Sequence, residues 1–271
     1  MVTLLESDVK TNDRRSSKGN QLKWEKEGYW YKADYTGYEG LAEYTVSRLL
    51  QYSSLETERY ILYETEEMRY KSQKYRGCRS RNFLPDGWQM LTLERLFHNF
   101  CGRSLYESIF QIQGIEERMT FLVEQAVRMT GLREFGPYLC DLFAVDALFL
   151  NEDRHMHNIA VLQDETGGYH YCPIFDNGAA LLADTAMDYP MGEDIYGLIE
   201  TVSAKTVCRD FEEQLEVAES LYGSRLRFSY DFEAVEKILG EEPYYDAREK
   251  MRVRDILMEQ RRKYEYLFLQ K

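Results

Sequence analysis

The chain has 271 residues, 44% hydrophobic and 14% aromatic, with 34 Lys+Arg against 47 Asp+Glu and a formal charge of −13. That apolar content supports one large domain or two small ones and excludes wholesale disorder. The acidic balance argues against nonspecific nucleic-acid binding, which needs a basic footprint, and no apolar run approaches the ~20 residues that span a bilayer.

Taken in chain order, residues 1–18 are polar and read as poorly ordered. The opening stretch MVTLLESDVKTNDRR has no basic region followed by an apolar one, so no secretory leader is expected. Five scattered cysteines without a CxxC pair point to reduced thiols and a cytoplasmic protein. Residues 19–34 read as two short strands with a turn at Gly28. Residues 37–52 read as a helix, with Thr36 as N-cap and Glu39 completing a capping box. Strands are expected at 60–68 and 75–84, and helices at 91–100, 103–111 and 115–130. Pro137 opens a helix that is apolar nearly all round and is expected at the centre of the second unit. The region from 190 is charged and helical, ending in a long amphipathic helix over 244–269. The pattern divides the chain at 86/87, an N-lobe over 1–86 and a C-lobe over 87–271.

Chemistry concentrates directly after the buried helix. Asn151-Glu-Asp153-Arg154-His155-Met-His157-Asn158 is followed by IAVLQ, a turn at DETGG, YHYCPIF and then Asp176-Asn-Gly178. The alternating runs read as a β-hairpin, which returns Asp176 to the side of Asn158. Two oxygen donors converging there suit Mg²⁺, with phosphate oxygens completing the shell. Asp153 then has the place of a carboxylate that orients a hydroxyl or accepts its proton, and Gly178 that of the residue allowing a tight turn. Lys32 on a strand and Glu43 on the next helix form a natural pair, since Glu39 is already used by the capping box. A strand lysine braced by a helix glutamate is how a kinase holds the α/β-phosphates of ATP. Lys23 is an alternative to Lys32, or both touch phosphate. Asp146 on the buried helix is expected to find a partner in Arg154.

The run N-x-D-R-H-x-x-N, a hairpin, and I-F-D-N-G resembles the catalytic and metal-binding motifs of the HipA-like serine/threonine kinases. The resemblance covers about residues 15–235 and implies a bilobal, protein-kinase-like α+β fold with a small strand-rich N-lobe and a larger helical C-lobe. It implies ATP and Mg²⁺ as cofactors, a Ser/Thr-bearing protein as substrate, Asp153 as catalytic base, Asn158 and Asp176 as metal ligands, and His155 near the γ-phosphate. Ser16-Ser-Lys-Gly19-Asn-Gln21-Leu-Lys23 looks like the family's phosphate loop. In the family a serine of that loop is autophosphorylated and can silence the enzyme, a regulatory place that falls here to Ser16, with Ser17 beside it. Longer members carry an N-terminal subdomain that meets an antitoxin. With the phosphate loop so near the first residue no such subdomain is expected, which leaves the antitoxin partner open. The motif here is D-N-G, so the Phe-based switch of eukaryotic kinases does not carry over.

The same residues admit other readings. Asp, Asn and Gly are ordinary turn residues when taken one at a time, and Ser16 and Ser17 also fit a solvated basic tail. Asp153 with His155 and His157 lacks the spaced third ligand of a zinc site. A small-molecule or lipid kinase of the same fold, and a nucleotide-binding regulatory module without transfer activity, are the alternatives to a protein kinase.

Overall fold

The computed structural model describes residues 1–10 and 21–269, so Ser16, Ser17 and Gly19 lie outside the described residues. The first elements are β1 (Val2–Leu4), β2 (Lys23–Lys26), β3 (Tyr29–Ala33), α1 (Glu39–Leu50), β4 (Tyr63–Tyr70) and β5 (Gln73–Arg81). Next come β6 (Gln89–Thr92), α2 (Leu93–Cys101), α3 (Leu105–Phe110), α4 (Ile115–Thr130), α5 (Phe135–Phe149), β7 (Ala160–Gln163) and β8 (Tyr169–Tyr171). The chain continues through α6 (Ile195–Ile199), α7 (Phe211–Tyr222), α8 (Phe232–Glu241) and α9 (Ala247–Lys263). Among the described residues no helix is long and apolar enough to cross a membrane.

Two compact units interleave along the chain. One holds Met1–Phe83, Phe175–Val202 and Arg227–Lys271, the other Leu84–Ile174 and Ser203–Leu226. A single division at 86/87 differs from this, because segments 175–202 and 227–271 group with the strand-rich first unit. The ties that place them there are long-range. Phe228 bridges Ser53 and Phe268, and the Tyr38 hydroxyl donates to the carbonyl of Leu181 at 2.7 Å.

In the first unit five strands lie in the order β1-β4-β5-β3-β2. The β2–β3 hairpin turns at Glu27 (φ 53) and Gly28 (φ 77), both left-handed, as the primed turn of a two-residue hairpin requires. Its core gathers Leu4, Trp24, Tyr31, Ala33, Met68 and Tyr70. β1 corrects the expectation of disorder at residues 2–4. It runs parallel to β4 with Leu4 opposite Tyr70, and three residues are too few to carry a readable alternation.

Helix α1 begins at Glu39, not 37, with Tyr38 as N-cap. The Glu39 carboxylate folds back to accept from the amides of Tyr35, Thr36 and Gly37 at 3.2, 2.7 and 3.1 Å, and the Thr36 hydroxyl donates to it at 2.9 Å. Four donors thus converge on one side chain, and the backbone of the turn is further tied by the Tyr38 amide to the Ala183 carbonyl at 3.1 Å and by the Ala186 amide to the Thr36 carbonyl at 2.8 Å. A Cβ on Gly37 would stand 1.8 Å from the carbonyl oxygen of Ala183. Gly37→Ala is therefore expected to cost about 1–3 kcal/mol of stability, on the scale of overpacking. Urea unfolding checks this, and an unchanged midpoint would contradict the close approach.

The second unit has an antiparallel sheet in the order β6-β7-β8. β6 overlaps the start of the helix expected at 91. Its strand pairing runs to Thr92↔Ala160, and the Thr92 side chain then caps α2 by accepting from the amide of Arg95 at 3.3 Å. α4 spans Ile115–Thr130 as read from its apolar stripe and stops at Gly131 (φ 75). Every residue of α5 except Pro137 is buried, so it is the centre of this unit. Pro137 lies in its first turn, where the amide has no intrahelical acceptor. β7 and β8 form the expected hairpin, its turn held by Asp164 Oδ1, which accepts from the amides of Thr166 and Gly168 at 2.9 Å each. The helix expected over 244–269 is α9, followed by a short 3-10 turn at Glu265–Leu267.

Candidate functional site

The candidate residues fall into two groups, one in each unit. In the first unit Lys32 stands on β3 opposite Cys78 of β5 and Lys23 of β2. Its Nζ lies 2.5 Å from Glu43 Oε1 and 2.7 Å from Asp176 Oδ1, and 5.1 Å from the ring centre of Tyr63. Glu43, on the buried face of α1, is 1% exposed. Its second oxygen accepts from the amide of Asn177 at 2.8 Å. One glutamate therefore fixes both the lysine and the backbone next to Asp176. Burial opposes the charge on Lys32, but the Asp176 and Glu43 carboxylates outweigh it and hold the ammonium well above its ordinary pKa. Among the described residues the Lys32 ammonium thus stands between two carboxylates.

Asp176 has φ 60, the left-handed region. An aspartate tolerates this conformation at a cost, and strained backbone of this kind gathers at functional sites. The expected role of Gly178 is corrected here. It is not among the residues with positive φ, and a Cβ on it would meet Glu39 and Glu43 only at ordinary contact distances of 3.5 and 3.6 Å. The sharp turn is made by Asp176 itself.

In the second unit α5 ends at Leu150 (φ 56), and the polar run begins there. Asp146 and Arg154 are 0% and 2% exposed. Arg154 Nε donates to both oxygens of Asp146 at 3.1 and 3.0 Å and Nη2 to Oδ1 at 3.1 Å, while Nη1 donates to the carbonyl of Asn158 at 3.2 Å. Asn151 Nδ2 adds a bond to Asp146 Oδ1 at 2.9 Å. The Thr206 hydroxyl donates to the carbonyl of Arg154. The loop 151–158 is thus anchored to the buried helix from within. Inside it Asn158 Nδ2 donates to the carbonyl and to Oδ2 of Asp153 at 2.8 and 3.2 Å. With the nitrogen so used, the side-chain oxygen Oδ1 is the atom of Asn158 suited to a cation. His155 Nδ1 accepts from the amide of His157 at 3.2 Å. This places the proton on Nε2, which lies 3.7 Å from Asp153 Oδ1, beyond hydrogen-bond reach.

The structure thus brings Lys32, Glu43 and Asp176 together, and Asp153, His155 and Asn158 together. Gln21 is half-buried, and Lys23 stands one strand over from Lys32, on β2. Among the described residues no three His, Cys, Asp or Glu side chains gather to hold a metal by themselves. Mg²⁺ does not need such a cage, since it binds through one or two carboxylates plus substrate phosphates. Sequence reasoning did not find the ties of Tyr38, Tyr245 and Arg252 around α1. The available signal was Arg252, a charge on the same face of α9 as the buried Ile256.

A solved structure, that of the proinflammatory kinase CtkA from Helicobacter pylori, matches with a TM-score of 0.58 at 15% identity, covering 97% of this chain and 94% of that one. At that identity the likeness shows the fold, and the chain has a kinase-type α+β fold. No protein-family model and no curated protein sequence matches it.

Proposed function

We propose that this chain is a HipA-like, ATP-dependent kinase that phosphorylates Ser or Thr of a protein in the cytoplasm. The observation that carries the reading is the Lys32–Glu43–Asp176 constellation, a buried lysine held between two carboxylates on a kinase fold. Lys32 binds the α/β-phosphates, and Glu43 keeps its ammonium in place. Asn158 and Asp176, both oxygen donors, hold Mg²⁺, which when bound neutralises phosphate charge. Asp153 orients the acceptor hydroxyl and takes its proton. His155 lies near the γ-phosphate. Residues 16–23, with Gly19, Gln21 and Lys23, cover the nucleotide, and phosphorylation of Ser16 or Ser17 regulates the enzyme.

The intact mass of the protein before and after Mg²⁺-ATP tests this reading. Added phosphoryl groups that map to Ser16 or Ser17 support it. Asp176→Ala is expected to lose the Mg²⁺-dependent part of ATP binding, and an affinity equal to that of the unchanged protein would count against the metal role. Transfer to inositol lipids and to no protein would move the substrate class to lipid. A protein that gains no mass and no thermal stability from Mg²⁺-ATP would overturn the kinase reading.

A further inference from the structure

The C-terminal helix α9 belongs to the same unit as Lys32, Glu43 and Asp176. Its Arg252 is buried, yet the three hydrogen bonds its guanidinium makes go to neutral oxygens. Nε donates to the Tyr38 hydroxyl at 3.2 Å, Nη1 to the carbonyl of Pro190 at 3.2 Å and Nη2 to the carbonyl of Tyr189 at 3.0 Å. Tyr38 is the N-cap of α1, and its hydroxyl passes the chain on to the carbonyl of Leu181 at 2.7 Å. One side chain therefore joins the start of the Glu43 helix to the stretch that follows Asp176. Burying a guanidinium against neutral acceptors is costly, and a residue kept only for packing needs no fork of donors.

A second tie reaches the same helix. Just before α9, the Tyr245 hydroxyl donates to Asp34 Oδ2 at 2.8 Å, and Asp34 Oδ1 accepts from the amide of Gly40 in the first turn of α1 at 2.7 Å. Glu249 of α9 holds Arg76 of β5 through two bonds of 3.0 and 2.8 Å, and that guanidinium lies 4.5 Å from the ring centre of Tyr245. Burial pushes the Asp34 carboxyl up to about 7, helped by Glu39, while the Gly40 amide, Tyr245 and Arg76 hold it down. Those donors offset part of the cost of burying the Asp34 carboxyl.

We infer that α9 is the positioning element of the Lys32–Glu43–Asp176 constellation, with Arg252 and Tyr245 as positioning residues that set α1 against the segment following Asp176. The consequence for nucleotide rests on the kinase reading, whereas the consequence for Lys32 does not. The test uses the full chain with Tyr245→Phe, Arg252→Met and Arg252→Lys. Lys32 is labelled with a trace of acetic anhydride and quantified by peptide mass mapping against the exposed Lys237. Displacing the two carboxylates is expected to raise Lys32 labelling several-fold in Tyr245→Phe and Arg252→Met, with Arg252→Lys in between because one ammonium cannot span three acceptors. Mg²⁺-ATP affinity is expected to fall by about fivefold, the scale of one lost hydrogen bond. Labelling unchanged in both variants alongside a lower melting temperature would overturn the inference and leave α9 a purely structural helix. If Arg252→Met does not fold, Tyr245→Phe decides, since it removes a single oxygen. If the unchanged protein binds no nucleotide, the kinase reading fails while the labelling still decides the role of α9.

Discussion

Asp153→Asn is expected to slow phosphoryl transfer by about 10²–10⁴-fold, the usual contribution of a positioned general base. Mg²⁺-ATP affinity should change little. The substitution keeps the shape of the side chain and removes its ability to take a proton. The loop should survive it, because Asn158 Nδ2 also bonds the Asp153 backbone carbonyl at 2.8 Å, and that bond does not depend on the carboxylate. The measurement is a single-turnover time course by intact mass, paired with titration of a fluorescent ATP analogue. Equal rates would remove Asp153 from the mechanism. Lost nucleotide affinity with normal chemistry at saturation would instead make it a binding residue.

Arg154→Met is expected to lower stability by about 3–5 kcal/mol, the cost of leaving one partner of a buried ion pair uncompensated. Asp146 is fully buried, and the substitution removes the Arg154 Nε bonds to both its oxygens and the Nη2 bond to Oδ1. It also removes the bond to the Asn158 carbonyl, so the loop carrying Asp153 loses its guanidinium anchor and keeps the bonds through Asn151 and the Arg154 backbone carbonyl. A urea midpoint lower by about 1–3 M is expected at ordinary denaturant sensitivity. The pH dependence has a definite sign. Burial already pushes the Asp146 carboxyl up against the pull of Arg154, and the variant loses that pull. A raised carboxyl favours the folded state below the ordinary carboxylate range and loses that advantage as pH rises through its folded value. The deficit of the variant is therefore smallest in acid and full at neutral pH. Asp146→Leu combined with Arg154→Met should recover part of it, because no charge is then left buried. A deficit independent of pH would show that the loss is one of packing.

Much of the local structure was legible in the chain because its causes are local. The β2–β3 turn needs two left-handed residues, and Glu27-Gly28 supplies them. α4 follows its apolar stripe from Gly114 to Gly131. The pairing of Lys32 with Glu43 could be read because a strand, a turn and a helix lie within a few residues of one another, and Glu39 was already committed to the turn. The pairing of Asp146 with Arg154 followed from burial, since a carboxylate on an apolar helix must find a cation nearby.

The remainder was decided by tertiary structure. Lys32 meets Asp176 across 144 residues and Tyr38 meets Arg252 across 214, separations that no periodicity encodes. The left-handed turn fell on Asp176 rather than on the glycine two residues later, because the chain there must satisfy Glu43 and Lys32 together. Segments 175–202 and 227–271 joined the strand-rich unit for the same kind of reason. By itself the amino-acid order determined the elements and the chemical types at the candidate site, since propensity, capping and side-chain charge act within a turn or two. Only the folded chain decided which of them share a unit and what braces them. Those contacts are set by burying apolar surface and pairing charges between segments far apart in sequence, and that choice is made by the whole chain at once.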